Sequence, residues 1–276
     1  MVVATQIQPR IVQALVGPAG APGLKFTAEY MTGSVKSYRG SKPNEATLVI
    51  HNLSESTIAQ LEAPNQTLQI LAGETTPGSI FLGDITTRGV VTKNSQPERT
   101  TTITAKDGRR TYRDLQASKS YPPNTPVATV VQDLLTTATL PPHNLALNPS
   151  NVYPTDSFPA GWAFQGRWRQ ALTEILVNRG FYWTIQGKVL FVLQAGTVAP
   201  GNVPNVTPQT GLVGSPVRTK KGANVVSVLN PGIVAGRGIQ VASQFFNGLY
   251  RAATVTHQFD SDGVKWVTTA QCEVIA

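Results

Sequence analysis

The chain's reactive side chains are few: three histidines, one cysteine, and fifteen acids spread over 276 residues. His51 and His257 fall in strand-like runs and His143 in a proline-rich loop, so no pair has the helical H-E-x-x-H spacing that holds zinc. No G-x-S-x-G elbow could present a serine nucleophile, and Cys272 has no basic neighbour in sequence to make it a thiolate. It reads as a core thiol. A phosphate-cradling G-x-x-x-x-G-K-[ST] loop is also missing, and Gly236-Arg237-Gly238 is only an isolated G-x-G. Asp260-Ser261-Asp262-Gly263 looks like the start of a calcium loop, but its twelfth position is Gln271 where a bidentate acid is needed, so a hairpin turn is expected. Sugar hydrolysis needs two carboxylates facing one cleft. Glu55, Glu62, Glu74, Asp84, Asp107, Asp114, Asp133 and Glu174 are too dispersed to single out a pair. The expectation is a protein with no catalytic residue, no metal and no cofactor.

What remains is surface chemistry. The formal net charge is +8, yet charged residues make up only 14% of the chain, well below the roughly 25% of an average soluble domain. A thinly charged surface rich in Thr, Val, Asn and Gln suits a protein covered by partners. The basic residues form two short clusters, Arg109-Arg110-Arg113 and Arg218-Lys220-Lys221, with no recognition-helix pattern, so specific nucleic-acid readout is not expected. Both clusters are candidate partner interfaces. Of the aromatics, Trp168 lies on a helical apolar stripe and Phe181 and Trp183 alternate along a strand, so these read as core. Trp162, placed in a loop, is the candidate exposed contact. The apolar run Ile11–Val16 is interrupted by Gln13 and too short for a secretory signal, and no stretch approaches the roughly 20 apolar residues of a membrane span. Synthesis in the cytoplasm is expected, without membrane insertion by the chain itself.

Around these residues the pattern is mainly β. Residues 1–23 end in Gly17-Pro18-Ala19-Gly20-Ala21-Pro22-Gly23 and read as a flexible arm. Residues 24–118 read as a first β-barrel domain. Its strands are expected at 24–31, 46–51, 67–71, 79–93 (with bends at Gly83 and Gly89) and 99–106, plus one short helix capped by Ser54. Residues 119–200 read as a small α+β middle domain. A helix opens at Thr125-Pro126 with the stripe Val127, Val130, Val131, Leu134 and Leu135, a second runs from about Gly166 to Asn178, and a tight hairpin turns at Gln186-Gly187. Residues 201–276 return to β as a second barrel domain that could borrow strands from the first half. With no crossover helices, the strands should be antiparallel.

Several segments in this order resemble phage tail baseplate central hub proteins. Pro43-Asn44-Glu45-Ala46, its β-run and Asn52-Leu53-Ser54 are similar to the family's P-N-x-A…N-L-S segment. Ile80-Phe81-Leu82-Gly83-Asp84-Ile85 resembles its i-F-x-G-d-I strand, with the Thr-rich strand and Asp107-Gly108 following. Asn124-Thr125-Pro126-Val127, Phe164 to Leu172, Thr210 to Pro216, Val228-Leu229-Asn230-Pro231 and His257 to Trp266 resemble further stretches in turn. A departure is Gln258-Phe259, where a smaller residue such as Gly is expected before Asp260.

The resemblance implies a homotrimer with two tube-like barrels per chain, forming a pseudo-sixfold ring between a sixfold tail tube and a threefold central spike. Implied partners are the tail tube or a distal tube-initiator protein, the spike, baseplate wedge proteins and the tape measure protein. A contractile tail is favoured by analogy. Alternatives are a tail-associated peptidoglycan hydrolase, a carbohydrate-binding β-module using Trp162, and a hub from a tailocin or type VI-like injection device.

Overall fold

The structure is a computed structural model and describes residues 9–18, 23–95, 97–244 and 246–275. The first third carries β1 (Ile11–Pro18), β2 (Leu24–Phe26), β3 (Met31–Tyr38), β4 (Glu45–His51), α1 (Glu55–Leu61), β5 (Gln66–Gly73), β6 (Gly78–Ser95) and β7 (Glu98–Lys106). The middle carries α2 (Arg109–Asp114), β8 (Gln116–Tyr121), β9 (Thr125–Pro126), α3 (Val127–Thr139), β10 (Ala146–Leu147), β11 (Ser157–Phe158), β12 (Trp162–Arg167), α4 (Trp168–Val177), β13 (Phe181–Gln186) and β14 (Val189–Gln194). The last third carries β15 (Asn205–Val206), β16 (Val217–Thr219), β17 (Gly222–Val228), β18 (Gly238–Ala242), β19 (Asn247–Asp260) and β20 (Trp266–Val274). The fold is mainly β, and its pairings are antiparallel except for the short β10–β14 and β15–β18 contacts.

Strands from both ends of the chain form one sheet, in the order β16-β17-β20-β19-β3-β4-β7-β6-β5-β1-β2, with β18 and β15 attached beside β19. The join is β19 against β3, in register from Thr254↔Tyr38 to Asp260↔Thr32. β19 is long enough to serve twice along one edge: Asn247–Arg251 pair with β18, and Thr254–Asp260 pair with β3. Period-two alternation decides what lies inside. Ala46, Leu48 and Ile50 of β4 and Ile103 and Ala105 of β7 are buried, while Thr47, Val49, Thr102 and Thr104 between them are half-buried. Each fully buried aliphatic side chain contributes roughly 1.5–3 kcal/mol, and this core also contains Phe259, Trp266 and Leu229 from the last third. Two further cores sit under α3 and α4 and among β17–β20.

Phe259 belongs to the Gln258-Phe259 pair, where the resemblance leads to the expectation of a smaller residue. Its ring lies on Gly33 of β3, where an added Cβ would meet the Phe259 Cζ at 2.6 Å and the Thr47 carbonyl oxygen at 2.5 Å. The missing side chain on one strand thus makes room for the large one on its neighbour.

The structure departs from the sequence reading in several places. Ile11–Pro18, expected in a flexible arm, form β1 and pair with β5 along their whole length; residues 1–8 and 19–22 of that arm lie outside the described residues. The single strand expected at 24–31 is two strands, because the Glu29 carboxylate accepts from the Thr27 and Ala28 N–H groups and turns the chain between them. Thr125-Pro126 do not open α3 with a side-chain cap. They pair with Ser157-Phe158, and the Thr125 hydroxyl donates back to the Pro122 carbonyl. α4 starts at Trp168 rather than Gly166, since residues 162–167 are held as β12 against β8. α2, the short helix bearing Arg109, Arg110 and Arg113, was not foreseen. Ser54 caps α1 as expected, accepting from Thr57 N–H at 3.2 Å.

Candidate functional site: a polar sheet face, basic edges and a buried joint

Cross-strand partners share a sheet face, so the register identifies one continuous polar surface. It runs through Asn224, Gln271 and Thr254, then Tyr38; in the next rows Thr269, Thr256, Lys36 and Glu45 lie side by side, ending on Lys106. A neighbouring row reads Gln258, Ser34, Thr47, Thr104. Lys106 and Glu45 pair at 2.9 Å. The face is therefore hydroxyl- and amide-rich with its charges partly matched.

The two basic clusters lie on different elements, one on α2 and one on β16 and the turn that follows it. Arg109, Arg110 and Arg113 line a cleft of about 750 Å³ between the end of α1, the middle of β6 and α2. Arg113 is engaged by Asp114, whose pKa it holds below the usual carboxylate value. Arg109 donates to the Thr87 hydroxyl at 2.9 Å. A fourth arginine, Arg88, enters the same cleft and was missed in the sequence. It has φ of 57° and sits where the β6–β7 register shifts between Ile85 and Val90. The signal was present: Gly89 was expected to bend this strand, and a bulge re-aims the side chain beside it. Arg218, Lys220 and Lys221 are exposed on edge strand β16 and its turn into β17, next to exposed Val217 and Val213. Trp162 is half-buried rather than free in a loop. It stacks on Phe164 (5.7 Å, 5°) and on Phe158 (5.8 Å).

The middle unit is fastened to the sheet by a buried polar joint that the sequence reading did not assign. The β13–β14 turn, with Gly187 and Lys188 at φ of 59° and 63°, aims both its N–H groups at Asp107: Gly187 donates to Oδ2 at 2.6 Å and Lys188 to Oδ1 at 3.1 Å. Asn44 completes it. Its Nδ2 donates to Gln186 Oε1 (2.8 Å) and to the Ile185 carbonyl (3.2 Å), and its Oδ1 accepts from Tyr38 N–H (2.8 Å). Lys188 Nζ reaches Asp84 Oδ1 at 3.3 Å. The Asn44 and Asp107-Gly108 motifs of the family resemblance are thus two sides of one joint.

Two buried groups here titrate in opposite senses. Burial pushes Asp107 up from 3.8 to about 7 despite its N–H donors. The folded state then holds a proton that the unfolded chain has lost. This contribution is greatest below about pH 4 and drains away as pH rises through 7. Burial lowers His257, which shares a 2.9 Å hydrogen bond with Thr268, to about 4. Its contribution is present above about pH 6.5 and is lost as pH falls toward 4. The slopes oppose each other between those limits. Thermal melts from about pH 4.5 to 7 should therefore show Tm falling with pH in His257→Asn and rising with pH in Asp107→Asn. The same slope in both variants would contradict the assignment. Cys272 is buried and pushed up to about 12, an inert thiol.

Among the described residues no cluster of three or more His, Cys, Asp or Glu gathers to hold a metal, and no helix is long and apolar enough to cross a membrane. Residues 57–272 match the family model described as baseplate hub gp41. No curated protein matches the sequence. Among solved structures, the chain is similar to a tail protein from Neisseria meningitidis MC58 (10% identity, 96% of each chain covered, TM-score 0.66). It is similar to the same degree to the 43 kDa tail protein of prophage MuSo2 from Shewanella oneidensis (10%, 96% and 97% covered, 0.66). The E. coli c3393 protein, a component of the type VI secretion system described as structurally similar to T4 tail proteins gp27 and gp5, matches at 12% identity over 95% of this chain and 77% of its own, TM-score 0.61. At such identities the likeness is one of fold.

Proposed function

Since the chain belongs to the baseplate hub gp41 family and is thereby a structural protein of the phage tail baseplate, we propose that three copies close into a ring of pseudo-sixfold outline that joins the tail tube to the central spike and lines the path of the genome. The observation that carries this reading is the single sheet running from β16 to β2 through the β19–β3 join. It holds the two β-rich ends of one chain in a fixed relation, with one hydroxyl- and amide-rich face in common. Two β-rich parts per chain, repeated about a threefold axis, can meet sixfold symmetry on one side and threefold symmetry on the other. A polar, weakly charged wall gives a passing polyanion no strong place to stick.

In this reading the protein works by shape, and catalysis has no part in it. Bare edges, such as β16 with its exposed Val217 and Arg218, are where neighbouring copies or tail components would pair. The partners are a tail tube or distal tube-initiator protein, the spike, wedge proteins and the tape measure protein. Native mass measurement of the purified chain should give about 89 kDa, three times 29.5 kDa. A monomer at every concentration tried would overturn the ring.

A further inference from the structure

The cleft beneath α2 has features that ring formation does not account for. Four arginines line it against two carboxylates, Glu62 and Asp114. Arg113 is already matched by Asp114 and Arg109 is tied to Thr87, but among the described residues Arg88 and Arg110 have no carboxylate partner. Arg88 is exposed in a left-handed backbone conformation that few non-glycine residues adopt, at the register break of β6. Strain of this kind, which costs of order 1 kcal/mol or more, persists where the surroundings hold it and concentrates at binding sites. The floor is apolar, with Leu61, Ile85 and Val90 belonging to or packing on the first core. Gln66, 9% exposed, also lines the cleft.

We propose that this cleft is the docking site for a short acidic, partly apolar peptide segment of a partner protein in the baseplate. Carboxylates of the segment pair with Arg88 and Arg110, and an apolar side chain covers Ile85 and Val90. A cavity of about 750 Å³ holds a few residues rather than a folded surface. The modest excess of arginine over acid, and the wall carboxylates Glu62 and Asp114, fit a mixed peptide better than a polyphosphate strand. The proposal rests on the hub reading, because it supposes an assembly that supplies the segment.

The test uses the full chain and a fluorescently labelled heptapeptide alternating Asp with Leu, compared by anisotropy with its Asn-for-Asp counterpart. The Asp peptide should bind at least roughly tenfold more tightly, and less tightly as salt rises. Arg88→Glu combined with Arg110→Glu should abolish that preference while leaving the particle mass unchanged. Arg218→Glu should leave the preference intact. Equal binding of the two peptides, an unaffected charge-reversal variant, or displacement of the peptide by a thymidine oligonucleotide at lower concentration would overturn the docking site. If particles of trimer mass form but show no preference for the Asp peptide, the cleft proposal fails alone. If the chain remains a monomer, it is the hub reading that fails.

Discussion

Asn44→Ala should destabilise the protein by about 3 kcal/mol or more and loosen the middle unit from the sheet. The side chain is 3% exposed, and its loss strands Tyr38 N–H, the Ile185 carbonyl and Gln186 Oε1. Each buried polar group left without a partner costs about 1–3 kcal/mol, and water can enter to satisfy only part of the set. Asp107→Ala should cost a similar amount, since it orphans the Gly187 and Lys188 N–H groups. The two losses should be non-additive. Both residues hold the same turn, so once one is gone the other has less left to fix, and a coupling of about 0.5–3 kcal/mol is expected in a double-mutant cycle. Urea unfolding followed by tryptophan fluorescence measures this, because Trp168 and Trp183 report on the middle unit. Additive losses of under 1 kcal/mol each would mean that the joint is incidental.

Trp168→Ala should cost about 4 kcal/mol, the middle of the range for truncating a fully buried aromatic. Its indole does three things. It fills the core between α3 and α4, it meets Trp183 edge-on (5.4 Å, 74°), and its Nε1 donates to the Leu134 carbonyl at 2.6 Å, tying the two helices together. Trp168→Phe should recover most of the packing and lose mainly the tie, leaving a cost of about 1–2 kcal/mol. Denaturant midpoints for the two variants should therefore be well separated. Near-equal midpoints would show that the hydrogen bond, and not the volume, dominates.

Much of this fold was legible because alternation and helical spacing are local. Val127, Val130, Val131, Leu134 and Leu135 announced α3, and Thr100 to Lys106 announced β7. The elements that were missed depend on distant partners. β1 is a strand because β5 pairs with it from Pro18↔Gln66 to Ile11↔Gly73, far along the chain, and β12 displaces a helical start because β8 is beside it. The Asn44–Asp107 joint was visible only as two separate motifs, since neither residue shows in sequence that the β13–β14 turn stands between them. The basic cluster on α2 was found from its charges, but Arg88 was not, because a bulge and not sequence proximity brings it to the same cleft. Trp162 was misplaced in a loop because the strand that pairs with it, β8, has little hydrophobic alternation of its own: Gln116, Ser118 and Ser120 face out.

The central claim is that the shared polar face of the β16-to-β2 sheet is the inner wall of a threefold assembly. Electron cryomicroscopy of the purified particle tests it most directly. The account predicts a closed threefold ring with a central opening, in which Thr47, Thr104, Thr256 and Thr269 face the opening while α3 and α4 lie outside it. A ring with that face turned outward, or particles with no opening at all, would contradict it.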